Sequence, residues 1–543
     1  MQALMMDAPL TLGVLARRFE EVFPTRPIIS RRNDRVVERS TWGEVGTRAR
    51  RLSAALAALG VQPGDRVATL AWNNRRHLEA YFGIPGCGGV LHTLNLRLHP
   101  RELEYIIGHA GDSVILVDEC LLPLLDRVSP SIRDTRFVVM RETEAPLPPG
   151  ALDYEDLIAS ADPAHWTPPV LDERHPAAMC YTTGTTGAPK GVVYSHRSTV
   201  LHAMGMALPD CAGFSERDVC LPVVPMFHVN AWGFPFAAAL VGSGFVLPGP
   251  HLDPVSLLDL FQSEGVTMAA GVPTILMGIL GALDAEPTRW DLKRLDRLIV
   301  GGAAVPAAIV EGFQRRHGIT VLHAWGMTET SPLGTIARLP PDLLNLPPEQ
   351  QLALRTAQGR PAPLVELRIR GEHGVLEPDG RSMGELEIRG PWIASSYYNS
   401  VDGRDAFTED GWLRTGDIAT IDARRYVRIQ DRAKDLVKSG GEWISSIALE
   451  NALMGHAAIA EAAVIAIPHE KWGERPAAIV TLRSGATTSA ADLRTYLTPL
   501  VARWWLPEHF VAVSSIPRTS TGKFKKLELR AQWADGSLAG TPL

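Results

Sequence analysis

The chain has 543 residues, 45% of them hydrophobic and 21% charged, with a formal net charge of −6. That length exceeds one ordinary hydrophobic core and predicts about three or four packing units. The mildly acidic balance, without any block of Lys or Arg, argues against a nucleic-acid partner.

In chain order, Thr41-x-x-Glu44 is a capping box. It opens a helix with Val45, Leu52, Leu56 and Leu59 near helical spacing, and Gly60 stops it. Residues 66–72 follow a Pro63-Gly64-Asp65 turn and read as a strand. Residues 113–118 and 296–300 read as buried strands. Short apolar strands alternating with amphipathic helices predict an α/β fold of parallel sheets packed by helices. The proline-rich stretch 339–348 is expected to be a surface loop. After about residue 360 the strand-like runs 365–370 and 385–389 predict a β-rich subdomain. A break at 431–434 divides the chain into expected domains 1–431 and 432–543. In the second, a helix at 447–454 and strands at 462–467 and 477–482 predict a small α+β domain.

The N-terminus lacks a basic region followed by a long apolar stretch, so no signal peptide is expected, and the C-terminus lacks a peroxisomal tripeptide. No uncharged apolar run clearly reaches the roughly 20 residues of a membrane span. The longest candidate, 219–250, is interrupted by Pro222, Pro225, His228 and Pro235. Cys87, Cys120, Cys180, Cys211 and Cys220 have no C-x-x-C spacing and read as reduced, buried small residues of a cytoplasmic protein.

The most informative stretch is 181–191, Tyr-Thr-Thr-Gly-Thr-Thr-Gly-Ala-Pro-Lys-Gly. Gly184 and Gly187 let backbone approach a ligand closely, the threonines supply hydroxyl donors, and Lys190 adds a point positive charge. That is a phosphate cradle over 182–190. It is not a Walker A loop, because the glycine pattern differs and Gly191 follows the lysine.

The cradle is followed by Trp325-Gly-Met-Thr-Glu-Thr330, Gly411-Trp-Leu-Arg-Thr-Gly-Asp417, Asp431-Arg-Ala-Lys-Asp435, Gly440-Gly441-Glu442 and Pro517-Arg-Thr-Ser-Thr-Gly-Lys523. Taken together, these motifs closely resemble the adenylate-forming superfamily: acyl-CoA synthetases, luciferases and the adenylation domains of peptide synthetases. The match around 225–232 and 438–446 looks most like bacterial medium- and long-chain fatty acyl-CoA synthetases, and is also close to the branch that activates methylmercaptopropionate.

The resemblance implies a large N-terminal domain and a small mobile C-terminal one with the active site between them. It implies ATP, Mg²⁺ and coenzyme A. Thr182, Thr183, Gly184, Thr186, Gly187 and Lys190 would hold the phosphates. Glu329, with Thr185, would hold the metal, a hard cation that takes one or two carboxylates. Trp325 stands where the family usually has tyrosine and would stack on adenine. Gly302, Gly326, Met327 and Thr328 would border the nucleotide, and Thr330 the α-phosphate. Asp417, expected in a turn, would accept both ribose hydroxyls, with Arg432 helping. Lys523 would stabilise the charge that builds as a carboxylate attacks phosphorus. For thiol attack, the small domain would rotate about Lys434 and bring Lys438, Gly440, Gly441, Glu442 and Trp443 to the site. Relatives imply a homodimer.

Residues 219–250 and 265–283 contain no Asp, Glu, Lys or Arg. By resemblance they line the acyl pocket. An amino-acid substrate would need an acidic partner there, so its absence disfavours amino acids. Val223, Val224, Met226, Phe227, Val229, Trp232, Phe234, Phe236 and Ala237–Ala239 point to an apolar tail, and Gly301, Gly302, Ala303 and Ala304 leave room for a tunnel. His228 either contacts the adenylate or thiol route or is a packed histidine. Trp232 is a candidate gate. The leading expectation is an AMP-forming ligase for a medium- or long-chain fatty acid. The alternatives are a ligase for a short, sulfur-containing or aryl acid, a loader of a separate acyl carrier protein, and a non-catalytic nucleotide binder.

Overall fold

The computed structural model describes residues 4–128, 132, 135–182, 188–400, 403–440, 442–518 and 524–543. The expected site residues Thr183, Gly184, Thr185, Thr186, Gly187, Gly441 and Lys523 lie outside the described residues.

The capping box forms: the Glu44 N–H donates to Thr41 Oγ1 at 3.3 Å, and the Thr41 N–H donates to Glu44 Oε2 at 3.1 Å. It opens the helix Trp42–Ala58, and Gly60 leaves it at φ +94°. Strands follow where 66–72, 113–118 and 296–300 predict them, at Arg66–Leu70, Asp112–Asp118 and Arg297–Val300.

Two large sheets organise the N-terminal part. One has seven strands, parallel except at the Pro176–Tyr181/Gly191–Ser195 hairpin. The other has nine, parallel in its centre and antiparallel at both edges. Both faces of the nine-stranded sheet are covered, as a parallel sheet requires. Phe245, Met268, Ala270 and Ile299 point into a core shared with the seven-stranded sheet and the helices Leu12–Val22, Trp42–Ala58 and Arg75–Gly86. Their neighbours Val246, Ala269 and Leu298 point the other way, toward the helices Pro254–Ser263 and Pro273–Ala285. This alternation is the two-residue period of a strand.

A five-stranded antiparallel sheet contains the expected strands, as Glu366–Gly371 and Gly384–Arg389, and ends in Leu413–Ile421 and Val427–Arg432. The chain then passes into a different sheet at Val437–Ser439. That sheet, with Ile459–His469 and Gly473–Leu482, buries Leu449, Leu453, Leu493 and Leu497 on one face and Leu529 on the other. A small C-terminal α+β unit thus follows a large N-terminal one.

Three expectations are corrected. The stretch 339–348 is not simply surface loop: Leu339 and Leu343 are buried with Ala357 and Tyr426, and Pro348 begins the helix Pro348–Arg355. Asp417 is not in a turn but inside the strand Leu413–Ile421, whose pairing with Gly384–Arg389 shifts register between Arg414 and Ile418, where Gly416 takes φ +69°. Cys120 is exposed, while the other four cysteines are buried; all five are free.

Candidate active site

A cleft of about 2010 Å³ runs between the N-terminal sheets and the C-terminal unit. Each wall derives from a local feature of the sequence.

The segment expected to cradle phosphate begins and ends at paired strands. Strands Pro176–Tyr181 and Gly191–Ser195 pair with Tyr181 opposite Gly191. Beyond them the Thr182 N–H donates to the Lys190 carbonyl at 2.9 Å, and the Lys190 N–H donates to Thr182 Oγ1 at 3.2 Å. The two ends of the loop are therefore pinned together. The Lys190 ammonium lies 4.8 Å from the ring centre of Tyr397.

Trp325 ends the strand Thr320–Gly326. Its ring lies over Gly334, where an added Cβ would sit 2.6 Å from the indole, so only glycine leaves the ring its place. Asp417 and Arg432 are direct partners across two antiparallel strands. Asp417 is buried, and Arg432 Nε lies 2.8 Å from its Oδ1. The Trp325 indole N–H donates to Oδ2 at 3.1 Å. The Arg432 Nη1 also donates to the Thr415 carbonyl at 2.8 Å. The carboxylate is thus fixed on both oxygens at one end of the cleft.

Glu329 sits in a tight turn, Thr328–Thr330, and is only 6% exposed. The Tyr397 hydroxyl donates to its Oε1 at 2.6 Å. The Tyr194 hydroxyl donates to the Thr328 carbonyl at 2.8 Å, which fixes the turn. Burial and the Glu329 carboxylate push the Tyr397 phenol well above its ordinary range, so it remains a donor.

The other end of the cleft is apolar. Val223, Val224, Phe227, Val229 and Trp232 line it, with Val272, Ile275 and Met277. Residues Val229, Asn230, Ala231 and Trp232 wind left-handed, at φ 45°, 52°, 49° and 55°, before Gly233 at 77°. Each such non-glycine residue costs roughly 1–2 kcal/mol, so this wall is strained backbone. The Trp232 ring faces the glycine pair: a Cβ on Gly301 would meet its Cη2 at 3.2 Å, and one on Gly302 its Cζ2 at 3.8 Å. Met226, Phe234, Phe236 and Ala237–Ala239, expected in the pocket, are instead core residues. Phe236 packs on Tyr81 and Phe82, and Phe234 on Phe214. The apolar run thus divides between channel and core.

The cleft brings together Thr182, Lys190, His228, Val229, Trp232, Gly301, Gly302, Ala303, Trp325, Gly326, Met327, Thr328, Glu329, Asp417, Arg432 and Lys434. The Thr330 hydroxyl is committed to its own turn, bonding Met327 and the Pro332 carbonyl. Lys438 and Trp443 lie away from the cleft, paired in the short strands that open the C-terminal sheet, and Gly440, in the turn after the first, lies under the Trp472 ring. Arg518 and Phe524, which flank 519–523, pair by a β-bridge and both line the cleft.

Sequence reasoning missed four elements of the lining. Tyr397 is one. His323 is another; its Nδ1 lies 2.9 Å from the Thr356 carbonyl, and burial holds its pKa near 4. The third and fourth are Lys526 and Glu450, a buried ion pair at 2.7 Å beside Asp431. Burial pushes the Glu450 carboxyl up to about 7 against the pull of Lys526. Lys434 is half-buried, and burial lowers its ammonium below the ordinary range, helped by Arg432 and Arg530.

A cleft with a fixed carboxylate, a cation and a buried acid at one end and an apolar channel at the other defines an enzyme of the adenylate-forming class. The AMP-binding enzyme profile matches residues 17–398, and the AMP-binding enzyme C-terminal domain profile matches 448–523. The chain belongs to the AMP-binding enzyme family. It is 49% identical to a long-chain-fatty-acid–CoA ligase of Thermus thermophilus, over 97% of this chain and 96% of the relative. It is 45% identical to a medium-chain-fatty-acid–CoA ligase of Ectopseudomonas oleovorans, over 98% and 97%. A 3-methylmercaptopropionyl-CoA ligase of Ruegeria pomeroyi is 44% identical over 98% of each chain. Among solved structures, the anthranilate CoA ligase AuaEII in complex with anthranoyl-AMP superposes with a TM-score of 0.86 at 25% identity, covering 98% of this chain and 99% of that one. ATP-bound MatB from Rhodopseudomonas palustris gives 0.82 at 26%, covering 97% and 99%.

Proposed function

We propose that this enzyme joins a medium- or long-chain fatty acid to coenzyme A in two steps, through an acyl adenylate, at the expense of ATP. The observation that carries the reading is the continuity of one cleft from a carboxylate–guanidinium pair to the apolar side chains of Val223, Val224, Val229 and Trp232.

In the first step a substrate carboxylate oxygen attacks the α-phosphorus of ATP. A P–O bond forms, the bond to the β-phosphate oxygen breaks, and pyrophosphate leaves. Asp417 accepts the ribose hydroxyls while Arg432 holds it in place, and Trp325 covers the adenine. Lys190 and the 182–187 backbone neutralise the phosphates, and Lys523 stabilises the charge on the attacking and phosphoryl oxygens. Glu329 fits Mg²⁺, because its Oε1 is taken by Tyr397 and a phosphate-bound metal needs only one or two protein carboxylates. Bound there with Thr185, the metal would offset phosphate charge and orient the triphosphate. In the second step the coenzyme A sulfur attacks the acyl carbonyl. A C–S bond forms, the C–O bond to AMP breaks, and the thiol proton goes to solvent. The unit 432–543 turns about Lys434 between the steps, presenting Lys438, Gly440, Gly441, Glu442 and Trp443 to the pantetheine arm.

A homodimer and a cytoplasmic location complete the reading. Five unpaired cysteines suit a reducing compartment, and among the described residues no helix is long and apolar enough to cross a membrane.

The test is to incubate the protein with ATP, Mg²⁺, coenzyme A and straight-chain acids of increasing length, plus 3-methylmercaptopropionate, and to measure AMP and acyl-CoA. The expected result is a maximum at medium or long chains. A maximum at short or sulfur-containing acids would overturn the chain-length assignment. Absence of AMP with every acid would overturn the activity.

A further inference from the structure

Segment 390–398 ties together two motifs that lie about 140 residues apart in sequence. At one end it grips the Glu329 turn: the Ser331 hydroxyl donates to the Trp392 carbonyl at 2.7 Å, the Trp392 indole donates to the Leu333 carbonyl at 2.9 Å, and the Ala394 N–H donates to the Glu329 carbonyl at 2.8 Å. At the other end it grips the phosphate loop, where the Tyr398 N–H donates to the Gly191 carbonyl at 2.9 Å. Between these grips stands Tyr397. Its hydroxyl binds Glu329 Oε1, its ring lies beneath the Lys190 ammonium, and its other edge packs on Phe407 at 5.6 Å.

One side chain therefore touches both the cation of the phosphate loop and the buried acid. Glu329 and Lys190 carry opposite charges, and with Tyr397 gone nothing on this strap would hold them to separate seats. The Tyr397 hydroxyl occupies one carboxylate oxygen and leaves Oε2 for another ligand. The ring face offers a seat for an ammonium at a distance suited to cation–π attraction.

We infer that Tyr397 is a positioning residue for the nucleotide and its metal: its hydroxyl aims Glu329, its ring seats Lys190, and together they set the spacing between metal and phosphate cation. The inference rests on the reading in which Glu329 holds Mg²⁺ and Lys190 the phosphates. In that reading Tyr397 acts through Glu329 and Lys190.

The two functions of the side chain separate by substitution. Tyr397→Phe keeps the ring and removes the hydroxyl; Tyr397→Leu removes both. Mn²⁺ binding, followed by electron paramagnetic resonance with a non-hydrolysable ATP analogue, reads the metal without turnover. Analogue binding without metal, followed by calorimetry, reads the phosphate seat. Loss of a partner that orients a metal ligand typically weakens the metal by about 10- to 100-fold. Tyr397→Phe is expected to weaken Mn²⁺ about 10-fold while metal-free analogue affinity stays within about twofold. Tyr397→Leu is expected to weaken both. Tyr397→His, which keeps a ring and a donor, is expected to recover part of the metal affinity lost in Tyr397→Leu. In a Glu329→Gln background, Tyr397→Phe should add nothing further.

Thermal unfolding of each variant checks that the fold is kept, and Tyr397→Phe, which removes a single oxygen from a half-buried ring, is the variant on which the inference stands. If Tyr397→Phe leaves Mn²⁺ affinity unchanged while Glu329→Gln weakens it, the inference falls and the assignment of Glu329 survives. If Glu329→Gln itself leaves Mn²⁺ affinity unchanged, the metal assignment falls and takes the inference with it.

Discussion

Replacing Trp232 with alanine tests whether the indole closes the apolar channel. The ring stands against the Gly301–Gly302 pair, close enough that a methyl group on Gly301 would lie 3.2 Å from it. Val272 Cγ1 faces Gly302 from another side, 3.3 Å from where a Cβ would stand, but it is a single methyl beside an indole. Trp232→Ala therefore opens space along the line of Val272, Ile275 and Met277, which also face the cleft. Each methylene that moves from water into such a space gains about 0.8 kcal/mol. That is about fourfold in kcat/KM per methylene, and about 60-fold over three. The variant should thus continue to gain on acids longer than the best wild-type substrate. It should lose on short acids, whose tails no longer touch the indole. The assay is kcat/KM for a series of straight-chain acids, followed by AMP release. The ratio between long and short acids is the quantity of interest, because it cancels any general loss from the altered turn. A long-to-short ratio within twofold of the wild type across the series would refute the gate.

Lys523→Ala should abolish acyl-adenylate formation while ATP still binds, measured as pyrophosphate release against nucleotide affinity; wild-type pyrophosphate release would remove the residue from the chemistry. Lys434→Pro should spare pyrophosphate release and stop acyl-CoA formation, whereas equal loss of both steps would count against a hinge there. The Glu450 carboxyl, lifted by burial from an ordinary 4.5 to about 7, binds its proton more tightly in the folded state. Stability from this group is therefore full below pH ~4.5 and is lost as pH rises to about 7, by at most about 3 kcal/mol. Glu450→Gln should flatten the fall in denaturant midpoint between pH 5 and pH 8; an unchanged fall would show that other groups set it.

Local signals were legible in the sequence because their physics is local. The capping box at Thr41 and Glu44 closes within one turn, and the buried strands announce themselves as short apolar runs. What escaped depends on partners distant in sequence. Arg-Thr-Gly-Asp reads as a turn, yet pairing with Val427–Arg432 extends it as strand and sets Asp417 opposite Arg432. The run from Phe227 to Phe236 holds four aromatic rings and no charged residue, so composition does not separate the channel side chains from those packed on Tyr81, Phe82 and Phe214. Tyr397 stands in an irregular segment with no periodicity, and its importance arises only when residues 190 and 329 meet it in space. The ion pair of Lys526 and Glu450 is likewise invisible until the helices Ser446–Met454 and Lys526–Ala534 meet beside the end of Val427–Arg432.

The left-handed winding of Val229–Trp232 has a consequence for how such enzymes diverge. The channel wall owes its shape to four unusual backbone angles held by a buried Asn230 and Ala231 and by Gly233 against His202. A side chain exchanged on that winding redraws the channel while the winding itself persists. An inserted or deleted residue would unwind it and redirect every side chain beyond. Acyl preference in this scaffold should accordingly drift by substitution at constant loop length, and a relative with a different spacing here would have had to rebuild the wall rather than repaint it.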